Sequence, residues 1–271
     1  MQTPRRLQYF VLAVACVVAT QGLASQTGRA AAPSASQKVI DDLVVGNRIL
    51  ANEGVLDGLG HISVRSDQRP DRFLLSRDLA PALVTAADLM EYDLDGNPVD
   101  ARGRGMYQER FIHALIYKAR PDVKAVVHGH TPSVLPFTDS TVPLRPMYHM
   151  ASFLVAGVPV FEIRKVEGST GMLINNARLG TALAQTLGDK TVALLRGHGF
   201  VAVAPDIPEV VSRSIFLDVN ARVQAQAIAF GGAITYLSPQ DATAPAPTAG
   251  ALPAPEYPRS WPMWKQRAMG K

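Results

Sequence analysis

Three stretches of this chain bring together side chains that can do chemistry. Lys124-Ala-Val-Val-His128-Gly-His130 is an apolar, β-branched run closing on two histidines one residue apart. Residues i and i+2 of a strand share a face, so both imidazoles can converge on one point. Imidazole nitrogen is a common ligand for zinc and neighbouring divalent metals. A second apolar run, Thr191 to Arg196, ends in Gly197-His198-Gly199, whose glycines leave room around a third imidazole. Three strand-end imidazoles make a three-nitrogen metal site with an open fourth position. Glu109 and His113, four apart in the helical stretch Tyr107–Lys118, share a helix face, and that helix leads straight into the His-x-His strand. A carboxylate near the metal serves as ligand or general base. The alternatives are polar strand-end or loop histidines, and a glutamate paired with Arg110 or His113 on a solvated helix.

The positioning elements are readable from periodicity. Helices are expected over 38–53, 107–118, 178–187 and from Pro208 at a first turn to about Phe230. Strands are expected at Gly60–Arg65, Phe73–Arg77, Leu89–Asp93, Lys124–His130, Val158–Ile163, Thr191–Arg196 and Phe200–Ala204, with a hairpin signal at Asp95-Gly96. Helices alternating with mostly apolar strands describe an α/β protein on one central sheet.

The chain has 271 residues, 47% hydrophobic and 18% charged, with a formal net charge of +4. That is ordinary globular composition, and one domain is the simplest division. No central basic run interleaved with aromatics appears, so nucleic-acid binding has no support. Residues 1–24 read as a signal peptide: Arg5-Arg6, an apolar stretch from Phe10 to Thr20, then small residues at Gly22-Leu23-Ala24. The expected location is therefore the periplasm, with a twin-arginine route, an uncleaved anchor and a lipobox at Cys16 as alternatives. Cys16 is the single cysteine, so the mature chain would lack thiol ligands and nucleophiles. Residues 25–37 read as a linker, 38–237 as the domain, and 238–271 as a Pro- and Ala-rich tail. Within the tail, Ser238–Pro258 reads as extended or disordered, and Trp261 and Trp264 as residues that dock on a surface.

Glu109-Arg-Phe-Ile-His113, Ala-Arg-Pro-Asp-Val-Lys-Ala-Val-Val-His128-Gly-His130 and Leu-Leu-Arg-Gly-His198-Gly together resemble the class II aldolase/adducin family. The resemblance spans about 38–237 and carries three motifs in order. It implies a single αβα domain with a central mixed, largely antiparallel sheet flanked by helices. It also implies His128, His130 and His198 as metal ligands, and Glu109 as fourth ligand or acid/base. The implied ion is one divalent metal per subunit, zinc first, with manganese, iron or cobalt as alternatives. The implied assembly is a homotetramer with sites at subunit interfaces.

The sugar-phosphate members of that family bind phosphate with small hydroxyl and backbone donors. Here the corresponding places hold Gly60-His61, Ser76-Arg77 and Tyr107-Gln108. Arg77 can fork onto a carboxylate, while His61 and Tyr107 can donate hydrogen bonds or pack on an aromatic ring. With Ser76, these are the expected substrate-binding residues, and Arg145 is a second carboxylate contact. Gly-His-Ile-Ser-Val-Arg and Ser-Arg-Asp-Leu-Ala-Pro are similar to a branch containing aromatic-acid decarboxylases. By the same resemblance Tyr148 or His149 reaches the neighbouring subunit's site and supplies a proton. The expected function is a metal-dependent lyase cleaving a C–C bond in a non-phosphorylated hydroxy or dihydroxy carboxylate. Decarboxylation stands ahead of aldol cleavage. A sugar-type aldolase or epimerase and a non-catalytic adducin-like interaction domain remain alternatives.

Overall fold

A computed structural model describes residues 34–168, 171–243 and 257–270. The expected signal peptide and most of the linker lie outside the described residues, as does 244–256 of the tail. The strands are β1 (His61–Arg65), β2 (Arg72–Ser76), β3 (Leu89–Asp93), β4 (Ala125–Gly129), β5 (Val160–Phe161), β6 (Val192–Leu195) and β7 (Gly199–Ala204). The helices are α1 (Gln37–Asn52), α2 (Arg110–Ala119), α3 (Leu135–Asp139), α4 (Arg164–Glu167), α5 (Ala177–Leu187), α6 (Ile207–Ala229), α7 (Pro239–Thr243) and α8 (Tyr257–Met269). Among the described residues no helix is long and apolar enough to cross a membrane.

The strands form one seven-stranded sheet in the order β3-β2-β1-β4-β7-β6-β5, antiparallel throughout except for the β5–β6 pair. Strands buried on both faces need apolar residues at consecutive positions, and β4, β6 and β7 have them. Strand alternation sends Ala125, Val127, Phe200 and Ala202 into one core, with α1, α6 and α8. Val126, Val201, Val203 and Ala193 go into the other, with α2 and α5. The expected αβα layering is thus present, and His128 falls on the α2 face with Val126.

Local chemistry starts the helices. Ser36, Asn176 and Asp206 cap α1, α5 and α6 by accepting the backbone N–H of Val39, Leu179 and Glu209, and Pro208 sits in the first turn of α6. At the far end of α2, the buried Arg65 guanidinium donates to the carbonyls of Tyr117 (2.5 Å) and Arg120 (3.1 Å), groups a helix end leaves unpaired.

Three expectations change. The helix expected from Tyr107 begins only at Arg110, with Glu109 as its cap residue. The strand expected over 158–163 shortens to Val160–Phe161, because β5 is an edge with one neighbour and the chain turns into α4 at Arg164. In the tail, Pro239–Thr243 is a short helix rather than extended chain. The tryptophans dock as expected: Trp264 is 4% exposed and packs its ring 6.0 Å from Phe216 of α6.

Candidate metal centre

The site lies where β4 ends and β7 begins. Register pairs His128 with both His61 on β1 and Val201 on β7, placing His128 at the centre of the sheet. His198 sits in the tight β6–β7 turn, where Gly197 takes φ +62°. A Cβ on Gly199 would lie 2.1 Å from the Gly129 carbonyl oxygen, so only glycine lets the turn close onto β4. Glu109 arrives from the other layer, at the start of α2.

These four residues converge. Their ligand atoms all lie within 4.8 Å of one another. His130 Nε2 is 3.1 Å from His128 Nε2 and 3.2 Å from His198 Nε2, and Glu109 Oε2 is 3.4 Å from the Nε2 atoms of His128 and His198. A metal–nitrogen distance of about 2.0–2.1 Å places tetrahedral donors about 3.3–3.4 Å apart. The donor set and its spacing therefore fit a divalent cation.

The outward nitrogens support the same reading. His128 Nδ1 is 2.9 Å from the Phe200 carbonyl oxygen, which fixes Nδ1–H as donor and frees Nε2 as a lone pair. His130 Nδ1 lies 3.2 Å from both carboxylate oxygens of Asp57, which the backbone N–H groups of Leu59 and Gly60 hold in place. Carboxylate-backed and carbonyl-backed imidazoles are the usual support of metal-binding histidines. His198 Nδ1 is buried without a hydrogen-bond partner among the described residues. Burial pushes the Glu109 carboxyl up, but the imidazoles of His128 and His198 outweigh it and hold the group well below its ordinary value. The Ile174 N–H donates to its other oxygen at 2.9 Å.

The remaining expected residues divide. His61 and Tyr107 stand beside the four donors: the His61 ring centroid is 4.5 Å from that of Tyr107 and 5.1 Å from that of His128. The Tyr107 hydroxyl donates to the Leu79 carbonyl and lies 3.2 Å from Ser76 Oγ. Arg77 pairs with Asp88 through Nε at 2.7 Å. Arg145 is exposed, its guanidinium 4.0 Å from the Tyr236 ring. Tyr148 packs near Phe216 in the α1–α6 layer, its hydroxyl buried without a partner among the described residues, and His149 is exposed. Within one chain these last three residues are not brought to the four donors. His113 corrects the helix-face expectation: because Glu109 precedes the first helical turn, the two side chains diverge. His113 bonds His61 instead, Nε2 to Nδ1 at 2.7 Å. Sequence reasoning missed Asp57, which lies 73 positions from His130 in the chain. Its Asp-x-x-Gly turn was visible, but nothing local says which histidine such a turn will face.

The model of the class II aldolase and adducin N-terminal domain family matches residues 41–225. The chain belongs to this family. It is 38% identical to the decarboxylase tropJ of Talaromyces stipitatus, over 82% of this chain and 90% of that one. It is 33% identical to the 3,4-dihydroxyphthalate decarboxylase of Arthrobacter keyseri, over 72% and 80%. Among solved structures, an aldolase II superfamily protein from Pseudomonas syringae superposes with a TM-score of 0.69 at 24% identity, covering 84% of this chain and 90% of that one.

Proposed function

We propose that this chain is a divalent-metal-dependent lyase that decarboxylates a hydroxy- or dihydroxy-substituted aromatic acid. The observation that carries the reading is the convergence of three imidazole nitrogens and one carboxylate oxygen on a single point, in a chain whose relatives include two decarboxylases. His128, His130 and His198 would hold the ion, zinc first by its taste for this donor set, with Glu109 as fourth ligand or base. The bound cation supplies a Lewis acid that stabilises negative charge developing on a substrate oxygen.

The chain's own groups do the rest. In the overall reaction the bond to the carboxylate carbon breaks, its electron pair stays on the ring carbon, carbon dioxide leaves and a proton joins that carbon. His61 and Tyr107 wall the place where the ring lies. Arg77 supplies charge for the carboxylate and Ser76 a hydroxyl, while an adjoining subunit supplies Arg145 as a second carboxylate contact and Tyr148 or His149 as the proton donor. This last role fits a homotetramer with shared sites, and the N-terminal segment fits export to the periplasm.

The test supplies metal-loaded protein with a panel of hydroxylated benzoic and phthalic acids and of hydroxy-keto acids, and measures carbon dioxide and aldehyde. Carbon dioxide from an aromatic acid, abolished by chelator and by His128→Ala, is the expected result. Aldehyde release alone would reassign the chain to aldol cleavage. An intact fold with no metal uptake would leave an interaction domain.

A further inference from the structure

A second polar structure runs beside the four donors, through the interior of the α2 layer. His61 Nδ1 is 2.7 Å from His113 Nε2, His113 Nδ1 is 2.6 Å from Ser63 Oγ, and Ser63 Oγ is 2.8 Å from the Tyr117 hydroxyl. All four side chains are buried. The Arg65 guanidinium lies over the Tyr117 ring at 4.9 Å and holds the last link in place.

Hydrogen-bond accounting gives this chain a direction. A hydroxyl has one hydrogen and a neutral imidazole has one N–H, so each inner member must accept from one neighbour and donate to the other. If the order ran outward from His61, the Tyr117 hydrogen would have only the Lys124 carbonyl, 3.5 Å away, as its acceptor. Run inward, the same hydrogen goes to Ser63 Oγ at 2.8 Å, which is the better geometry. Ser63 then donates to His113 Nδ1, and His113 Nε2–H donates to His61 Nδ1. A cationic His113 would be a buried charge with no carboxylate in hydrogen-bonding contact, which is costly.

We infer that Ser63 and His113 are positioning residues that lock His61 in its Nε2–H tautomer, with Tyr117 packed at the head of the chain, so that His61 presents a hydrogen-bond donor to the substrate. His61 Nδ1 is taken by His113, and Nε2 has no hydrogen bond to any described residue, so Nε2 is the nitrogen left to face the site. Its N–H matches an acceptor oxygen of a carboxylate or phenolate beside the cation and repels a substrate group that must itself donate. The role given to the substrate oxygen rests on the proposed decarboxylase reading; the tautomer does not.

The experiment is ¹⁵N-histidine NMR on the full chain, metal-free and metal-loaded, without substrate. Six histidines make assignment by single replacements practical. The expected spectrum shows His61 with a protonated Nε2 and a bare Nδ1, scalar-coupled through the hydrogen bond to His113 Nε2. A His61 Nδ1–H or an imidazolium overturns the inference, whatever the protein turns out to catalyse. Tyr117→Phe leaves Ser63 with His113 as its acceptor, so the tautomer stays. Ser63→Asp places an acceptor at the head of the chain and reverses it. His61 Nδ1–H then appears, and KM for the acid rises by roughly tenfold, the scale of one hydrogen bond to a charged group. A folded Ser63→Asp protein that keeps Nε2–H while the same spectrum shows His113 neutral overturns the proposed control by Ser63; where the new carboxylate charges His113, the wild-type spectrum decides. If that variant fails to fold, the wild-type spectrum decides alone.

Discussion

Five of the chain's six histidines lie together, yet they form two kinds of arrangement. In one, His128, His130 and His198 turn the same nitrogen, Nε2, toward a common point, and two of the three outward nitrogens are engaged by Phe200 and Asp57. In the other, His61 and His113 join head to tail, Nδ1 to Nε2. A head-to-tail pair is complete in itself, because a proton already lies between the nitrogens. Three converging lone pairs are complete only around a cation. The two groups differ in what their backbones allow. A strand end and a glycine-flanked turn aim side chains at a shared point, whereas a helix interior facing a strand presents them one against one.

Replacing one member of each group breaks the comparison most sharply. In chelated protein, His130→Ala removes a ring that pairs with the half-exposed Asp57 and otherwise turns Nε2 toward the like nitrogens of His128 and His198, so its expected effect on stability is within about 1 kcal/mol. His113→Leu leaves His61 Nδ1 and Ser63 Oγ buried and short of a partner, at about 1–3 kcal/mol each. Denaturant unfolding should therefore show a loss of about 2–6 kcal/mol for His113→Leu. Metal titration should reverse the ranking: His113→Leu binds with near-native stoichiometry and His130→Ala does not. Equal stability losses in the two variants would mean the three converging rings support the apo fold as the pair does.

A smaller effect isolates the outer support. Asp57→Asn keeps the shape but weakens the acceptor facing His130 Nδ1, so metal affinity should drop by about 10- to 100-fold with the apo fold intact. Competition with a chelator of known affinity measures it. An unchanged affinity would make Asp57 a turn residue and nothing more.

Period and spacing made the metal-facing group legible in the sequence, and they hid the other. His128 and His130 alternate on an apolar strand, and His198 follows a second such strand, so each signal is local. The layered fold followed from the same runs, and β3 and α6 fall close to where alternation and Pro208 place them. The His61–His113 pair joins residues 52 positions apart across two elements, and only the packing of α2 over β1 reveals it. Glu109 was found for a partly mistaken reason. Its place at the cap of α2, outside the first helical turn, is what frees its carboxylate to turn toward His128 and His198 instead of lying over His113. The short helices α3 and α4 carry too few residues to show a period.

Acid should sharpen the contrast in a graded way. Burial, with the nearby His128 adding to it, lowers the His113 value to about 3, against an ordinary value near 6.5. A base whose folded value is depressed binds its proton more readily when unfolded. Its neutral, hydrogen-bonded state therefore contributes stability fully above about pH 6.5, and that contribution is lost as pH falls toward 3. One such group gives a slope of at most about 1.4 kcal/mol per pH unit. Chelated wild-type protein, followed by unfolding from pH 7 to 4, should lose stability more steeply than the chelated His113→Leu variant. That variant starts lower but lacks one of the buried bases that must charge. Parallel curves would show that His113 takes up its proton over the same pH range folded and unfolded, and the head-to-tail pair would then become a cation in mild acid.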